Sequence, residues 1–464
     1  MSNSQVNPAF VADEEKGGAR KTKVSAVEFN ATREKGDDYD YNPYEHRMVS
    51  HPTTNAETLL HLLKGSLGTG ILAMPKAFLN AGYVIAIVGT ILIGGLCLYC
   101  IHMLINAEYE LCKRKKVPSM NYPTTAKIAM SEGPPILQKC AGAAPHIVNG
   151  FLLFYQLGTM CVYTVFIAQN IKDVVDEYLG EEDIRLYMLV LLLPLILINW
   201  VRNLKYLAPF STLANVITVV SFGVIIYYLF AEGPTFEKRE PVGEVQNMPL
   251  FLGTVLFALE AIGVIMPLEN EMKTPESFGG KCGVLNIAMF IIIVLYVFMG
   301  FLGYLAYGAD VNDSITLSLK RHEVLGQVVR ITLAVAIYIT HGLQGYVAFD
   351  ITWNGYLKKR TDKNSHPLLW EYVLRTCLVI FTFLLAVAIP RIGMLISLVG
   401  AFCLSALGLA FPAIIEISTY YYTYTGSRFK WMMSKNSLLI IFAIFGLIVG
   451  TYTSIHEIVN GFTL

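Results

Sequence analysis

Apolar residues occur along this chain in blocks separated by charged or Pro- and Gly-rich breaks. Each block is roughly 20 residues long, and a helix of that length crosses a hydrocarbon core of ~30 Å. The pattern predicts an all-α integral membrane protein with eleven transmembrane helices. The predicted spans lie near 57–80, 83–105, 146–171, 186–201, 209–231, 248–269, 283–306, 324–349, 368–389, 392–416 and 436–457.

The composition supports this fold class and excludes several functions. Of 464 residues, 54% are apolar and 15% are charged, whereas soluble domains carry about 25% charged residues. The 35 basic and 35 acidic residues balance, so no nucleic-acid partner is indicated. No nucleophile–base set, metal cluster or nucleotide loop is apparent in the sequence. We therefore predict a non-enzyme that needs no cofactor or metal.

The charges of the loops predict the orientation in the membrane. The first 50 residues hold seven Lys or Arg, nine Asp or Glu and no apolar block, so residues 1–52 are predicted to be a disordered cytosolic tail and 53–464 the membrane domain. Seventeen basic loop residues then face the cytosol and about eight face the other side, as the positive-inside rule requires. The carboxyl end is extracellular or luminal, and Asn312 is a candidate glycosylation site on that side.

The first and sixth predicted spans are interrupted. Gly65, Gly68 and Gly70 occur within six residues of the first span, and each glycine weakens a helix by about 1 kcal/mol relative to alanine. The sixth span repeats the theme with Gly263, a short apolar run and Pro267. Paired interruptions in the two halves of a transporter mark a binding site near the bilayer midplane. The alternative is that the glycines only allow close helix packing.

Interrupted helices expose backbone groups that suit a zwitterion. The amino end of a half-helix presents N–H groups to a carboxylate, and a carboxyl end presents carbonyls to an ammonium group. We therefore predict that an α-amino acid binds at the two interruptions. Polar residues of the third span are candidates to line the pathway, and the alternative is that they hold neighbouring helices together. The candidate substrate-binding residues are Gly65, Ser66, Leu67, Gly68, Thr69, Gly70, Phe257, Ala258, Leu259, Glu260, Ala261, Tyr155 and Tyr163.

Two ionisable residues are candidate proton-coupling groups. Glu260 lies about twelve residues into the sixth span, where a charge must pair, protonate or face a cavity. It is either a proton site, the partner of a substrate ammonium group, or one half of a structural ion pair with Lys64. His61 stands one turn before Lys64 at the first interruption, and an imidazole titrates near pH 6.5. The alternative for His61 is a hydrogen bond to a backbone carbonyl.

Two segments carry a family resemblance. HLLKGSLGTGILAMPKAFLNAG in the first span and PLENEMKTPESF at the end of the sixth closely resemble the proton-coupled amino-acid transporters of the amino acid/auxin permease group. NPYEHR before the first span is also typical of that family. The resemblance extends from about residue 53 to the last span. It implies a LeuT-like five-plus-five inverted repeat, with halves at about 57–231 and 248–416 and an extra helix at 436–457.

The resemblance also implies roles for individual residues. His61 occupies the place of a histidine implicated in proton coupling, and Gly65 to Gly70 match the substrate loop. Where the wider group often has Phe-Glu-Gly in the sixth span, this chain has Leu259, Glu260 and Ala261, and loss of that glycine is expected to narrow the site or shift the substrate preference.

The sequence thus predicts a proton-coupled symporter that carries small amino acids, such as alanine, glycine or proline, into the cytosol. Its expected location is the plasma membrane or a lysosomal membrane, as in the family it resembles. Two alternatives stay open: a sodium-coupled carrier with Thr340 among the ion ligands, and an amino-acid sensor that feeds TOR growth signalling through partners of the cytosolic tail.

Overall fold

The computed structural model describes residues 41–49, 52–202, 208–259, 262–358 and 366–463. Within these residues the chain is helical, and its one β-type contact is an isolated parallel bridge between Thr53 and Met272. Eight helices are long and apolar enough to cross a membrane, and two shorter apolar helices accompany them. The prediction of an all-α membrane fold is confirmed.

Each predicted span coincides with a helix or a pair of helices. In chain order these are α1 (Asn55–Ser66), α2 (Thr69–Ala81), α3 (Tyr83–Lys115), α4 (Tyr122–Glu132), α5 (Pro135–Gln138), α6 (Ala144–Leu179), α7 (Ile184–Asn199), α8 (Ala208–Ala231), α9 (Met248–Ala258), α10 (Ile262–Asn270), α11 (Val284–Tyr307), α12 (Ile315–Ser318), α13 (Val324–Thr352), α14 (Pro367–Ala388), α15 (Ile392–Val399), α16 (Phe411–Tyr420) and α17 (Gly426–Thr463). The pairs α1–α2 and α9–α10 occupy the first and sixth spans.

Several helices extend beyond the predicted apolar blocks. Helix α3 continues ten residues past its predicted end at 105, and its last turn carries Lys113, Arg114 and Lys115. Basic groups at a helix carboxyl end stabilise it through the helix dipole, so the helix persists where hydrophobicity has ended. Helices α4 and α5 lie in a loop that the hydropathy pattern left unstructured, and Asn121 caps α4 by accepting the Thr124 N–H at 3.0 Å.

The tenth span is a separate helix with an irregular middle. It begins at Ile392, after α14 has ended at Ala388, and it is π-helical from Gly400 to Ala410 before α16 continues it. The π-helical segment packs against α9 at very short range, since a Cβ on Gly400 would stand 1.9 Å from the carbonyl oxygen of Gly253.

Contacts between loops identify two opposite ends of the helix bundle. At one end Arg114 donates to the carbonyl of Thr419 at 2.9 Å. At the other end Lys320 pairs with Glu232 at 2.9 Å. These contacts join loops that the predicted topology places on the same side, the cytosolic side for the first contact and the outer side for the second. We name these regions the predicted cytosolic end and the predicted outer end.

Part of the predicted tail is folded against the predicted cytosolic end. Pro43–His46 forms a 3₁₀ turn that Asn42 caps, accepting the Tyr44 N–H at 3.2 Å. Arg47 follows with 5% of its side chain exposed. The prediction that all of 1–52 is disordered is therefore wrong for 41–49, because buried ion pairing compensates for the low hydrophobicity. Residues 1–40 lie outside the described part of the chain.

The centre of the bundle is built from α2, α6, α9 and the tenth span. Ten of the thirteen residues of α2 are buried, and α2 packs on α9 and α11. Helix α3 packs on α11, α6 on α13, and α7 on α14. Because α2 and α9 lie at the centre, the two helix interruptions are held inside the protein, where freed backbone groups can be satisfied.

Candidate functional site

The interruption in the first span lies at Leu67 and Gly68. Helix α1 ends at Ser66, and α2 begins at Thr69. The Leu67 N–H still donates to Leu63 at 2.9 Å, whereas the Gly68 N–H turns back to the Ser66 carbonyl at 3.0 Å. The predicted interruption is confirmed, but Gly65 lies within the last turn of α1 and does not mark it.

The interruption in the sixth span begins earlier than the sequence indicated. Helix α9 ends at Ala258, Leu259 is in a turn, and α10 begins at Ile262. Gly263 and Pro267, on which the prediction rested, both lie inside α10. One glycine costs a helix only about 1 kcal/mol, so packing overrides it. Glu260 and Ala261 lie outside the described residues, and their roles stay predictions.

The structure brings the two interruptions into contact. A Cβ built on Gly70, at the start of α2, would stand 2.6 Å from the Cα of Ala258 at the end of α9. No side chain other than hydrogen fits at this crossing without displacing backbone. The amino end of one half-helix therefore lies directly beside the carboxyl end of another.

The amino end of α2 offers hydrogen-bond donors. Its N-cap is Gly68, which supplies no capping side chain, so the first N–H groups of the helix have no cap and carry its partial positive charge. The Thr69 side chain is 2% exposed, and its hydroxyl makes no hydrogen bond to a described residue. A buried hydroxyl and an uncapped helix end together form a site suited to a carboxylate.

The carboxyl ends of α1 and α9 meet at one phenol. Tyr296, on α11, is fully buried, and its hydroxyl is hydrogen-bonded to the carbonyl oxygen of Ser66 and, at 2.7 Å, to that of Ala258. These carbonyls end the two half-helices that precede the interruptions. Sequence reasoning missed Tyr296, since a tyrosine in a strongly apolar span is usually assigned to packing.

Aromatic side chains line the same region. The hydroxyl of Tyr163 lies 3.7 Å from the Cβ position of Gly68, which places it beside the first interruption. The rings of Tyr155 and Phe257 have their centroids 6.1 Å apart. Leu259 is buried, and its Cδ1 lies 3.5 Å from the Cβ position of Gly94 on α3. The structure thus brings both predicted tyrosines of the third span close to the interrupted segments.

His61 lies on α1, before the interruption in the chain. It is five residues before Ser66, which corresponds to about 7.5 Å along a helix axis, towards the predicted cytosolic end. His61 is half-buried, and Lys64 is exposed. The structure therefore places His61 between the candidate substrate site and the predicted cytosolic end.

A buried ion-pair network covers the predicted cytosolic end. The Arg47 guanidinium lies 3.0 Å from Glu269 on α10 and 3.9 Å from Glu108 on α3. It also donates to the backbone carbonyls of Glu269 at 3.0 Å and of Pro118 at 3.1 Å. Both carboxylates are at least 97% buried. Glu269 thus pairs with an arginine of the segment before α1.

The electrostatics of Arg47 favour its charged form. Burial alone would lower the pKa of Arg47, but attraction to the carboxylates of Glu269 and Glu108 raises it above its usual value. Tyr44 packs on the guanidinium with the Arg47 Cζ 4.8 Å from the ring centroid. The guanidinium is therefore a fixed positive charge that joins α3, α10 and the segment before α1.

The segment before α1 is also joined to the segment after α10. The Thr53 N–H donates to the backbone carbonyl of Glu271, and the Lys273 N–H donates to the backbone carbonyl of Thr53, both at 2.9 Å. Burial raises the pKa of Glu271 to about 7. Its protonated form is therefore favoured in the folded protein more than in the unfolded chain.

We expect Glu271→Gln to remove part of the pH dependence of stability. A raised carboxyl pKa contributes stability that is present below the unfolded pKa of 4.5 and lost as the pH rises through about 7. Thermal midpoints of purified protein at about pH 5 and about pH 8 should differ less in this variant than in wild type. Glu276→Gln, at an exposed site nearby, is the control. The same change in both variants would contradict the prediction.

Asn312 and Thr340 are the two other residues with a candidate role predicted from the sequence. Asn312 is exposed, and its side-chain amide donates to Leu317 at 3.1 Å; its glycosylation stays a prediction. His341 is fully buried beside Asn199, at 3.1 Å, where α7 meets α13. The Thr340 hydroxyl donates to the backbone carbonyl of Ala336 in its own helix. In the described residues no three His, Cys, Asp or Glu side chains are grouped to hold a metal.

Comparison with known proteins gives several matches. A family model described as "Transmembrane amino acid transporter protein" matches residues 51–459. The chain is 42% identical over 429 residues to the "Proton-coupled amino acid transporter-like protein pathetic" of Drosophila melanogaster, covering 91% of this chain and 89% of that protein. It is 27% identical over 420 residues to the "Probable amino acid transporter skat-1" of Caenorhabditis elegans, covering 88% and 91%.

Among solved structures, a similar chain is that of Mhp1, a nucleobase-cation-symport-1 family transporter, in a closed conformation with bromovinylhydantoin bound. The TM-score is 0.49 at 11% sequence identity, with 92% of this chain and 95% of that one covered.

Proposed function

Because the chain belongs to the transmembrane amino acid transporter family, we propose that it is a proton-coupled symporter that moves small amino acids into the cytosol by alternating access. As a member of this family, the chain is a multi-pass membrane protein that functions in amino acid transport. The substrate, the coupling ion and the direction are the proposed part, and the printed name of the fly relative, "proton-coupled amino acid transporter-like", supports the choice of ion.

The observation that carries the proposal is the meeting of the two interruptions. The uncapped amino end of α2, with Thr69 buried beside it, suits a carboxylate. The carboxyl ends of α1 and α9 lie in the same region, and the negative ends of their helix dipoles suit an ammonium group. An α-amino acid carries both groups one carbon apart. Phe257 and Leu259 are buried in the same region and would supply apolar contacts to its side chain.

We assign proton coupling to His61, with Glu260 as the second candidate. A pH difference of two units supplies about 2.8 kcal/mol per proton, which corresponds to roughly hundredfold accumulation at one proton per substrate. Coupling requires that the protonated form of the site binds substrate more tightly than the deprotonated form. The position of His61 between the interruption and the predicted cytosolic end is suited to releasing the proton there.

His61→Ala is expected to abolish the acid dependence of transport. Substrate-evoked current would be recorded with alanine, glycine and proline at about pH 5.5 and about pH 7.4, on either side of the ordinary histidine pKa of ~6.5. In wild type the inward current should grow with acid and ignore sodium. In His61→Ala it should lose its pH dependence, while binding of the amino acid persists.

The same recordings test the alternatives. A current that requires sodium and ignores acid would replace proton coupling with sodium coupling. Silence towards all substrates, with the protein confirmed at the cell surface, would favour an amino-acid sensor that acts through partners of its tail. A His61→Ala variant with wild-type acid dependence would move the proton site to Glu260.

We further propose the orientation with the amino terminus in the cytosol and the carboxyl terminus extracellular or luminal, in a plasma or lysosomal membrane. The asymmetry of basic loop residues supports it. We also propose that 57–231 and 248–416 are inverted repeats. Support comes from the interrupted helix that opens each half, and from the packing of α3 on α11, α6 on α13 and α7 on α14, each joining spans five apart.

In this orientation the Arg47 network closes the cytosolic side. Arg47 links α3 to α10, and Thr53 links the start of α1 to the end of α10. Inward release of substrate would then require these contacts to break. Separation of a buried guanidinium from buried carboxylates is strongly unfavourable, so the closed state is held by a specific interaction.

A further inference from the structure

The hydroxyl of Tyr296 lies where two half-helix carboxyl ends converge. It is hydrogen-bonded to the carbonyl oxygens of Ser66, the last residue of α1, and of Ala258, the last residue of α9. Tyr296 is fully buried near the middle of α11. The side chain reaches both interruptions from a helix that is itself continuous.

Two such carbonyl ends require a positive partner. Each carboxyl end carries about half a negative charge from the helix dipole. In transporters with broken helices, carbonyls of this kind coordinate the coupling cation. In this chain the polarised hydrogen of a phenol lies between them.

The Tyr296 hydroxyl can donate only one hydrogen bond at a time. A phenol has one proton, so at any instant it donates to one carbonyl and leaves the other to electrostatic attraction alone. The Ser66 carbonyl also accepts the Gly68 N–H at 3.0 Å. The hydroxyl can therefore shift towards Ala258 without leaving Ser66 unsatisfied.

We propose that Tyr296 is a positioning residue that holds the ends of α1 and α9 together in place of a bound cation. The inference rests on the proposed transport function and adds to it. The geometry of the substrate site is set by a hydrogen-bond donor of the protein, so substrate affinity does not depend on sodium.

The experiment compares amino acid uptake by wild type, Tyr296→Phe and Tyr304→Phe, each with sodium present or replaced by choline. The matched control, Tyr304, is a buried tyrosine on the same helix, and its hydroxyl accepts the N–H of Glu240 at 3.0 Å. It lies away from the interruptions. Both variants lose one phenol hydroxyl, so a difference between them reports the position of Tyr296.

The expected result is a raised KM in Tyr296→Phe alone. Loss of the donor leaves buried carbonyls less well satisfied, and the KM should rise roughly tenfold. The maximal rate and the pH profile should change little. Restoring a donor with 4-aminophenylalanine at position 296 should return the KM to the wild-type value or below it, because an amino group has two hydrogens for two carbonyls.

A fluorinated tyrosine keeps the test decisive if the phenylalanine variant does not reach the membrane. 3-Fluorotyrosine at position 296 is a stronger donor of nearly the same size, and it should lower the KM. An unchanged KM in Tyr296→Phe or with 3-fluorotyrosine would overturn the proposal while leaving the transport function intact. A wild-type KM that falls when sodium is added would also overturn it, since a cation would then complete the site. Absence of wild-type uptake would overturn the transport function and the proposal together.

Discussion

Gly70→Ala is expected to reduce amino acid uptake at least tenfold, about 1.4 kcal/mol or more in the free energy of the transport step. The added methyl group would stand 2.6 Å from the Cα of Ala258. Contact with backbone cannot be relieved by rotating a side chain, so α2 and α9 must separate. The carboxylate site at α2 would then move away from the carbonyl ends. The measurement is uptake of radiolabelled amino acid, normalised to the amount of protein at the cell surface.

Gly95→Ala is the matched control for this change. Gly95 is also a helical glycine, on α3, and a Cβ there would meet no atom within 4 Å. Alanine favours a helix by about 1 kcal/mol over glycine, so this variant should transport as well as wild type. Wild-type uptake by Gly70→Ala would show that the crossing of α2 and α9 does not shape the substrate site.

Arg47→Gln is expected to destabilise the protein by about 3–5 kcal/mol, because it leaves Glu108 and Glu269 as buried carboxylates without their cation. Both carboxylates are at most 3% exposed. The thermal midpoint of the purified protein should fall. Transport should fall as well, because the cytosolic closure no longer forms. Thermal unfolding in detergent and uptake in cells measure the two effects.

A double variant separates the ion pair from the rest of the arginine. Combining Arg47→Gln with Glu269→Gln replaces the carboxylate that lies nearest Arg47 with a neutral amide. One buried charge without its cation is then removed, so part of the lost stability should return. Arg114→Gln is the control at the same end, since Arg114 is 28% exposed and pairs with Glu110 at 2.9 Å. Exposed pairs contribute about 1 kcal/mol or less. Equal losses in Arg47→Gln and Arg114→Gln would contradict the assigned role of the buried network.

The positions of the spans could be predicted because lipid imposes one strong rule. A segment that crosses hydrocarbon must be apolar over its length and must satisfy its own backbone groups. Helices α8, α11 and α14 therefore lie close to the predicted blocks. The extension of α3 to Lys115 and the helix α4 were missed, because outside the hydrocarbon the helix depends on caps and packing.

The candidate site was predictable only in part. The glycines of the first span located the interruption to within a few residues, because Gly68 lies in it while Gly65 and Gly70 lie in the helices on either side. In the sixth span a single glycine did not mark the interruption, and Gly263 lies inside α10. Arg47 and Tyr296 could not be assigned from sequence, since Arg47 bonds to Glu269, 222 residues away, and Tyr296 bonds to Ser66, 230 residues away.

By itself, the sequence determined that this chain is an all-α membrane protein with an interrupted first helix, because hydrophobic length and glycine clustering act locally. The resemblance of two motifs, confirmed by the family match, determined the class of transported molecule. Only the tertiary structure decided that Gly70 meets Ala258, that Tyr296 joins two helix ends and that Arg47 lies between two carboxylates. These contacts connect residues distant in sequence, and their energies depend on burial and geometry, which arise only when the helices pack.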